Sequence, residues 1–383
     1  MLISGGNLIF PRLPMLAAMA ILCLASRNWV IDFKRNMLPI WLLLSAVLML
    51  TLLRPSGVDL LSTAIRYANF FGGILLLDVY LNAGGQALSR DLFAIGKFMT
   101  WQALITMVLA VFFNFLFLPI EVSDTLYFTV FGIFNYHVMV DDSTLRPDGI
   151  FYEPGVFQIY LNLFLYLALF IFRSWRWSLL GLLAVLATRS TTGVAIGLII
   201  VFWFVATRYI NSGSLPLRIA KVFGAGIFVA AIGAVAVVNV TEKVSGDSQG
   251  SFWARQYDLI TGLNIIEEHP LAGIGFDYEQ YYRASADLGY ADTELPDRII
   301  QDRGNSNGIV SLLYSVGIPL GIVFLIGMFR QTFFPERILV GIVLFIACLG
   351  ESLVFSPFFL MFMFNGLLTR SRAPGGAAVP AHG

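Results

Sequence analysis

Charge is what this sequence has least of. Only 13% of its 383 residues are charged, against 58% hydrophobic, and the mean hydropathy is +0.79. A soluble chain carries roughly a quarter charged residues, so most of this one has to sit in lipid. Lys+Arg and Asp+Glu balance at 24 each, which leaves no basic field for nucleic acid. Cysteine is down to two, Cys23 and Cys348, both inside apolar runs and without metal or redox spacing. No disulfide framework is needed. The histidines His137, His269 and His382 are scattered and form no HExxH pair, so a metal site gains no support. The absence of a P-loop (GxxxxGKS or GxxxxGKT) argues against an ATP-driven pump.

Apolar runs are abundant instead. A membrane crossing takes about 20 such residues, and about eleven runs qualify. They cover roughly 8–25, 38–53, 58–80, 92–119, 150–172, 175–188, 191–210, 217–240, 306–329, 336–351 and 353–370. The expected fold is therefore an all-α polytopic membrane protein, about eleven transmembrane helices within 1–370, with a large outside loop. The sixth and tenth runs are short, which points to tilted or re-entrant geometry. The first lacks a basic start and a small-residue cleavage site, and Pro11, Arg12 and Pro14 interrupt it, so it does not read as a cleavable signal. The tail 371–383 is rich in Gly, Pro and Ala and is expected to be disordered and cytoplasmic.

Basic residues orient the chain. With the N-terminus outside, the inner connections collect Arg27, Lys34, Arg35, Arg173, Arg176, Arg208, Arg330 and Arg337, among others. The positive-inside rule expects this. Acidic residues concentrate in 120–149 and 241–305, the two long outside segments. Long connections are where a polytopic scaffold keeps its function.

Several outside residues form chemically suggestive groups. Arg146 opens RPDGIFYEPGVFQIYLN, in which Pro154 suits the first turn of a helix and Glu153 its positive end. Gln158, Asn162 and Tyr166 follow at four-residue steps, a polar stripe that either lines a cavity or bonds neighbouring helices. Arg189 stands in ATRSTTGVAIG, where hydroxyls and backbone amides at a helix start can cradle an anion, or where the helix is simply capped. The segment SFWARQYDLITGLNIIEEHPLAGIGFDY carries Arg255, Tyr257 and His269, with helical periodicity over 251–268. The later segment QDRGNSNGIVSLLYSVGIPLG carries Arg303 and Asn305. Arg66 lies within an apolar run, with Asn69 and Gly73 on its face; a central charge costs roughly 2.5–3.5 kcal/mol on insertion scales, so it should line a cavity or find a partner.

On these residues the sequence resembles the O-antigen polymerase and O-antigen ligase superfamily. The resemblance rests on RPDGIFYEP, the TRSTTG turn, IIEEHPLAGIGFDY and GNSNGIVSLLYSVGIPLGI, in that order and on one side of the membrane, over most of residues 140–330. It implies a metal-independent glycosyltransferase of the bacterial inner membrane, working on its periplasmic face without a cofactor. Its donor and acceptor would be undecaprenyl-diphosphate-linked glycans, with membrane lipid around it and a chain-length regulator protein as a further partner. Polymerases join lipid-linked repeat units into O-antigen, capsular or exopolysaccharide; ligases transfer glycan to lipid A core.

The ligase pattern is a His, then Asn/Ser/Gln, nine residues, a Gly, two residues, and Gly/Thr/Tyr. Here that frame begins Ser306-Asn307, passes Gly317 and closes on Leu320, so polymerase is favoured over ligase. Chemistry of this kind asks for arginines on a diphosphate leaving group and a base for the attacking hydroxyl. Glu153 is the base candidate, with His269 the alternative, and Arg255 completes the catalytic set. Arg146, Arg189 and Arg303 are expected to bind the diphosphate or glycan, joined by Asn305, Tyr257 and Arg66. A lipid-linked oligosaccharide flippase or other transporter is the competing class, but no internal repeat supports it.

Overall fold

The computed structural model describes residues 12–25, 37–53, 60–122, 125–139, 142–210, 249–276, 280–283 and 305–368. It is mostly helical. Helices α1 (Arg12–Ala25), α2 (Leu38–Leu52), α3 (Leu60–Asn82) and α4 (Ala87–Phe112) precede four strands, β1 (Leu118–Val122), β2 (Thr125–Val130), β3 (Phe134–Met139) and β4 (Asp142–Pro147). There follow α5 (Pro154–Tyr166), α6 (Trp175–Ala187), α7 (Thr191–Val205) and α8 (Gln249–Glu268). The last described helices are α9 (Gly308–Val316), α10 (Ile318–Arg330), α11 (Arg337–Gly350) and α12 (Pro357–Leu367). Turns of π-helix extend α5 over Leu167–Ile171 and α7 over Ala206–Ile210.

Four of these helices are long and apolar enough to cross a membrane: Leu60–Asn82, Ala87–Phe112, Pro154–Ile171 and Thr191–Arg208. Shorter apolar helices accompany them. The expected run 217–240 and the expected tail 371–383 lie outside the described residues. On α4 the side chains of Ile95, Phe98, Trp101, Ile105, Val108 and Val111 are exposed along one stripe. Water would penalise such a stripe, whereas lipid tails accept it.

Segment 120–149 departs from the all-α expectation. It folds with Leu118–Pro119 into an antiparallel meander in the order β1-β2-β3-β4. The sequence supports this locally: TLYFTV and FNYHVM alternate, with Tyr127, Thr129 and Tyr136 buried while Leu126 is exposed. The turn between them places Phe131 and Gly132 at positive φ, 56° and 67°. The apolar stretch Leu126–Phe134 is thus strand and turn.

Close helix packing builds the core. A Cβ at Gly366 of α12 would strike the carbonyl of Gly327 on α10, and one at Gly73 of α3 would press on Leu360 at 2.8 Å. Helix α5 is enclosed in the same way. Phe164 fills the space left by Gly96 of α4 and Gly181 of α6, and Gln158 packs on Gly193 of α7. Small residues at such crossings let backbones approach, the usual means of packing helices within lipid. The polar stripe belongs to this packing: the Asn162 amide donates to Gln158 Oε1 at 2.8 Å and to the Gly193 carbonyl at 2.9 Å.

The expected span 306–329 is broken in two at Gly317, whose φ is +81°. The break has a partner. The backbone amides of Ile274 and Gly275 donate to the carbonyls of Tyr314 and Ser315 at 2.7 and 2.9 Å, and Ile318 donates to Pro270 at 2.8 Å. Residues 270–275 therefore satisfy carbonyls that the end of α9 leaves open. The HPLAGIG and SVGIPLG motifs are two halves of one structural clamp.

Candidate active site

Strand β4 delivers Arg146, and the loop after it delivers Asp148 and then Glu153 at the start of α5. Arg146 is 9% exposed and faces His137 across the β3–β4 ladder. Its Nε donates to the Thr188 carbonyl at 3.4 Å, which ties β4 to the turn between α6 and α7. Asp148 is fully buried, and His137 Nδ1 lies 2.8 and 2.9 Å from its two carboxyl oxygens. Burial pushes the Asp148 carboxyl up to about 6, while the His137 contact and the Arg146 charge pull the other way.

Glu153 is the extended N-cap residue of α5 (φ −151°, ψ 138°), with Pro154 following. The expected helix-terminal position is therefore occupied. Its side chain does not cap the helix; its charge acts instead on Glu351, a residue that sequence reasoning missed. Glu351 follows the last turn of α11 and is 6% exposed. Its carboxyl lies over the first turn of α5, where a Cβ on Gly155 would collide with Oε1.

Two carboxyls so placed cannot both ionise easily. Burial, and then the charge of Glu153, raise the Glu351 carboxyl well above the usual carboxylate range, against Arg255 and Arg146. Arg255 Nη2 approaches Glu351 Oε1 at 3.9 Å. Taken alone this is an ion pair. At that distance, beyond hydrogen-bond range and with the arginine side chain 44% exposed, the pull of Arg255 is weaker than the effect of burial. The net direction favours the protonated form of Glu351.

Helix starts converge around these carboxyls. The N-cap Ser190 of α7 accepts from the Gly193 amide at 3.2 Å, and a Cβ on Gly350 would lie 3.5 Å from Thr192. Asn307 caps α9, accepting from Ile309 and Val310 at 3.1 Å, and Gly308 abuts the Glu351 carbonyl. Several positive helix ends thus meet at one end of the bundle, an environment suited to an anion.

The remaining candidates fall at graded distances from this centre. Arg189 sits in the α6–α7 turn beside Thr188, exposed and at φ +49°. Arg66 on α3 stacks over Phe355 at 4.7 Å and Phe276 at 5.9 Å, just beyond Glu351 in sequence and at the end of the GIGF turn respectively. Tyr257 is half-buried on α8 next to Asp258. Asn305 is buried and held at both ends: it donates to the Asp258 carbonyl at 2.6 Å and accepts from the Asn307 amide at 2.8 Å. Arg303 lies outside the described residues. His269 is exposed at the far end of α8, about 21 Å from Arg255 at 1.5 Å per residue.

Sequence reasoning also passed over Asp258, 2% exposed on α8. Its carboxylate accepts from the Ser306 hydroxyl at 2.6 Å and the Ser306 amide at 3.0 Å, and from Tyr281 at 3.4 Å. One signal pointed to Glu351: a lone carboxylate in LGESLVF, between apolar runs, where ionisable residues are costly and tend to be functional.

Comparison with curated proteins and with solved structures gives no significant match. A family model does match, over residues 177–325, from α6 through most of α10. That stretch includes the Arg189 turn, Arg255 and the Asp258–Ser306 contact; Arg146, Glu153 and Glu351 flank it in sequence and meet it in space. The family so matched is described as O-Antigen ligase, which is consistent with the O-antigen polymerase and ligase superfamily that the sequence resembles.

Proposed function

We propose that this protein is a polymerase that joins polyprenyl-diphosphate-linked oligosaccharide repeat units, acting at the periplasmic face of a bacterial inner membrane. The observation that carries the reading is the Glu153–Glu351 carboxyl pair at the start of α5, flanked by Arg146 and Arg255. In the reaction, an acceptor hydroxyl attacks the anomeric carbon of the donor. The new C–O bond forms as the bond to the diphosphate breaks, and the hydroxyl proton passes to Glu153. Glu351, keeping its own proton, donates a hydrogen bond to Glu153 and orients it. Arg146 and Arg255, with Arg189 and Arg303, receive the charge that gathers on the departing diphosphate. Arg66 on its phenylalanine platform and Tyr257 offer cation and ring surface to the sugars.

Ser306 favours polymerase over ligase. Where the ligase pattern has histidine, this serine commits its hydroxyl proton to Asp258 at 2.6 Å. That leaves the position no imidazole-type base and gives it a fixing role. In cells lacking their own ligase, the protein should extend lipid-linked repeats without decorating lipid A core. Glycan-decorated lipopolysaccharide in those cells would contradict the polymerase reading.

A further inference from the structure

A cavity of about 400 Å³ opens at the end of the bundle opposite the carboxyl pair. Arg173, Arg208, Trp175, Phe204, Ser178 and Leu169 contribute to its wall, and no acidic side chain lines it among the described residues. It is bounded by the π-helical end of α5 (Leu167–Ile171), the start of α6 and the end of α7 with its π-helical turn (Ala206–Ile210). From Pro154 to Ile171 the chain rises about 26 Å at 1.5 Å per residue, so the cavity and the carboxyl pair lie near opposite faces of a bilayer.

The local backbone is built to present these groups. The Ser174 amide reaches back to the Ala168 carbonyl at 2.9 Å, and Arg173 takes a left-handed φ of 49° in the turn so closed. Trp175 is 71% exposed at the cavity mouth, with the Arg176 guanidinium 5.8 Å from its ring centre. Tryptophan and arginine at such a level mark the boundary between lipid tails and headgroups. The nearby carboxylate of Glu336 is engaged by the Trp203 indole at 3.3 Å and takes no part in the wall.

We infer that this cavity is a binding site for the headgroup of an anionic phospholipid, with Arg173 and Arg208 on the phosphate and Trp175 and Phe204 along the glycerol and upper acyl chains. Basic pockets between helices near a bilayer surface recognise lipid headgroups by this chemistry. The site is independent of glycan transfer, and its failure would leave that reaction untouched.

Trp175 supplies the probe. Purified full-length protein is reconstituted with phosphatidylglycerol or phosphatidylcholine brominated on the acyl chains. The Trp175 signal is taken as the difference between wild type and Trp175→Phe. Quenching should favour phosphatidylglycerol, and the preference should fall about fivefold for each arginine replaced by glutamine. Arg173→Lys/Arg208→Lys should keep most of it. If the double glutamine variant does not express, Arg208→Gln alone carries the test, with the same fivefold loss expected. Millimolar inorganic phosphate should leave the preference intact. Equal quenching by both lipids, an unchanged preference without the arginines, or its abolition by free phosphate would each overturn the assignment.

Discussion

Glu153→Gln is expected to lower turnover by about 10²-fold or more, with donor binding largely intact, since a positioned base contributes typically 10²–10⁴-fold. Glutamine keeps the size and hydrogen-bonding capacity of the side chain and removes only its basicity. Glu351→Gln should cost much less, roughly tenfold or below, because an amide N–H can still donate to Glu153 in place of the protonated carboxyl. A third variant isolates geometry from chemistry. Gly155→Ala puts a methyl group where Glu351 Oε1 now lies. That oxygen ends a side chain with rotatable bonds, so the fold should survive while the carboxyl swings away from Glu153, and turnover should fall without a loss of melting temperature. If Glu351→Gln proves the more damaging carboxyl replacement, the roles within the pair are reversed. Near-normal turnover in both would make the pair a structural device.

Arginine-to-lysine variants weigh bidentate recognition against charge alone. A guanidinium meets two phosphate oxygens at once with a planar fork, whereas lysine offers a point charge on a flexible stem. Arg146 is nearly buried and donates Nε to the Thr188 carbonyl, which orients its guanidinium before substrate arrives. Arg146→Lys should cost roughly 2–4 kcal/mol of transition-state stabilisation, by analogy with donors at other charge-developing sites. Arg255→Lys and Arg189→Lys should impair polymerisation as well, with expression unchanged. Arginines that only meet solvent would tolerate lysine within about 0.5 kcal/mol. Product ladders from well-expressed variants decide the matter, and wild-type ladders from all three would remove these residues from the diphosphate site.

Much of this centre was legible in the order of residues. Glu153 before Pro154 marks a helix start in any setting, and the structure has α5 beginning there. RPDG and TRSTTG looked like two separate loops, and the Arg146–Thr188 bond joins them. Glu351 was hidden by its place at the end of an apolar run, where it reads as a boundary residue. Only the three-dimensional return of α11 to the start of α5 gives it a partner. The sheet was hidden for a related reason: its strands are short and moderately apolar, and in a chain so rich in membrane runs the period-two alternation of TLYFTV and FNYHVM is easily taken for a surface-lying loop. His137 and Asp148, eleven residues apart, meet only because that sheet forms. His269 drew attention by its chemistry, but the length of α8 carries it well away from Arg255.

The measurement that bears most directly on the central claim is product length from purified components. The protein in lipid nanodiscs is incubated with a polyprenyl-diphosphate-linked repeat unit and excess EDTA, and glycans are resolved by size. A ladder of increasing repeat number, absent with Glu153→Gln, is the predicted result. Unchanged single repeats with the wild-type protein, or a ladder of equal intensity from the glutamine variant, would contradict it.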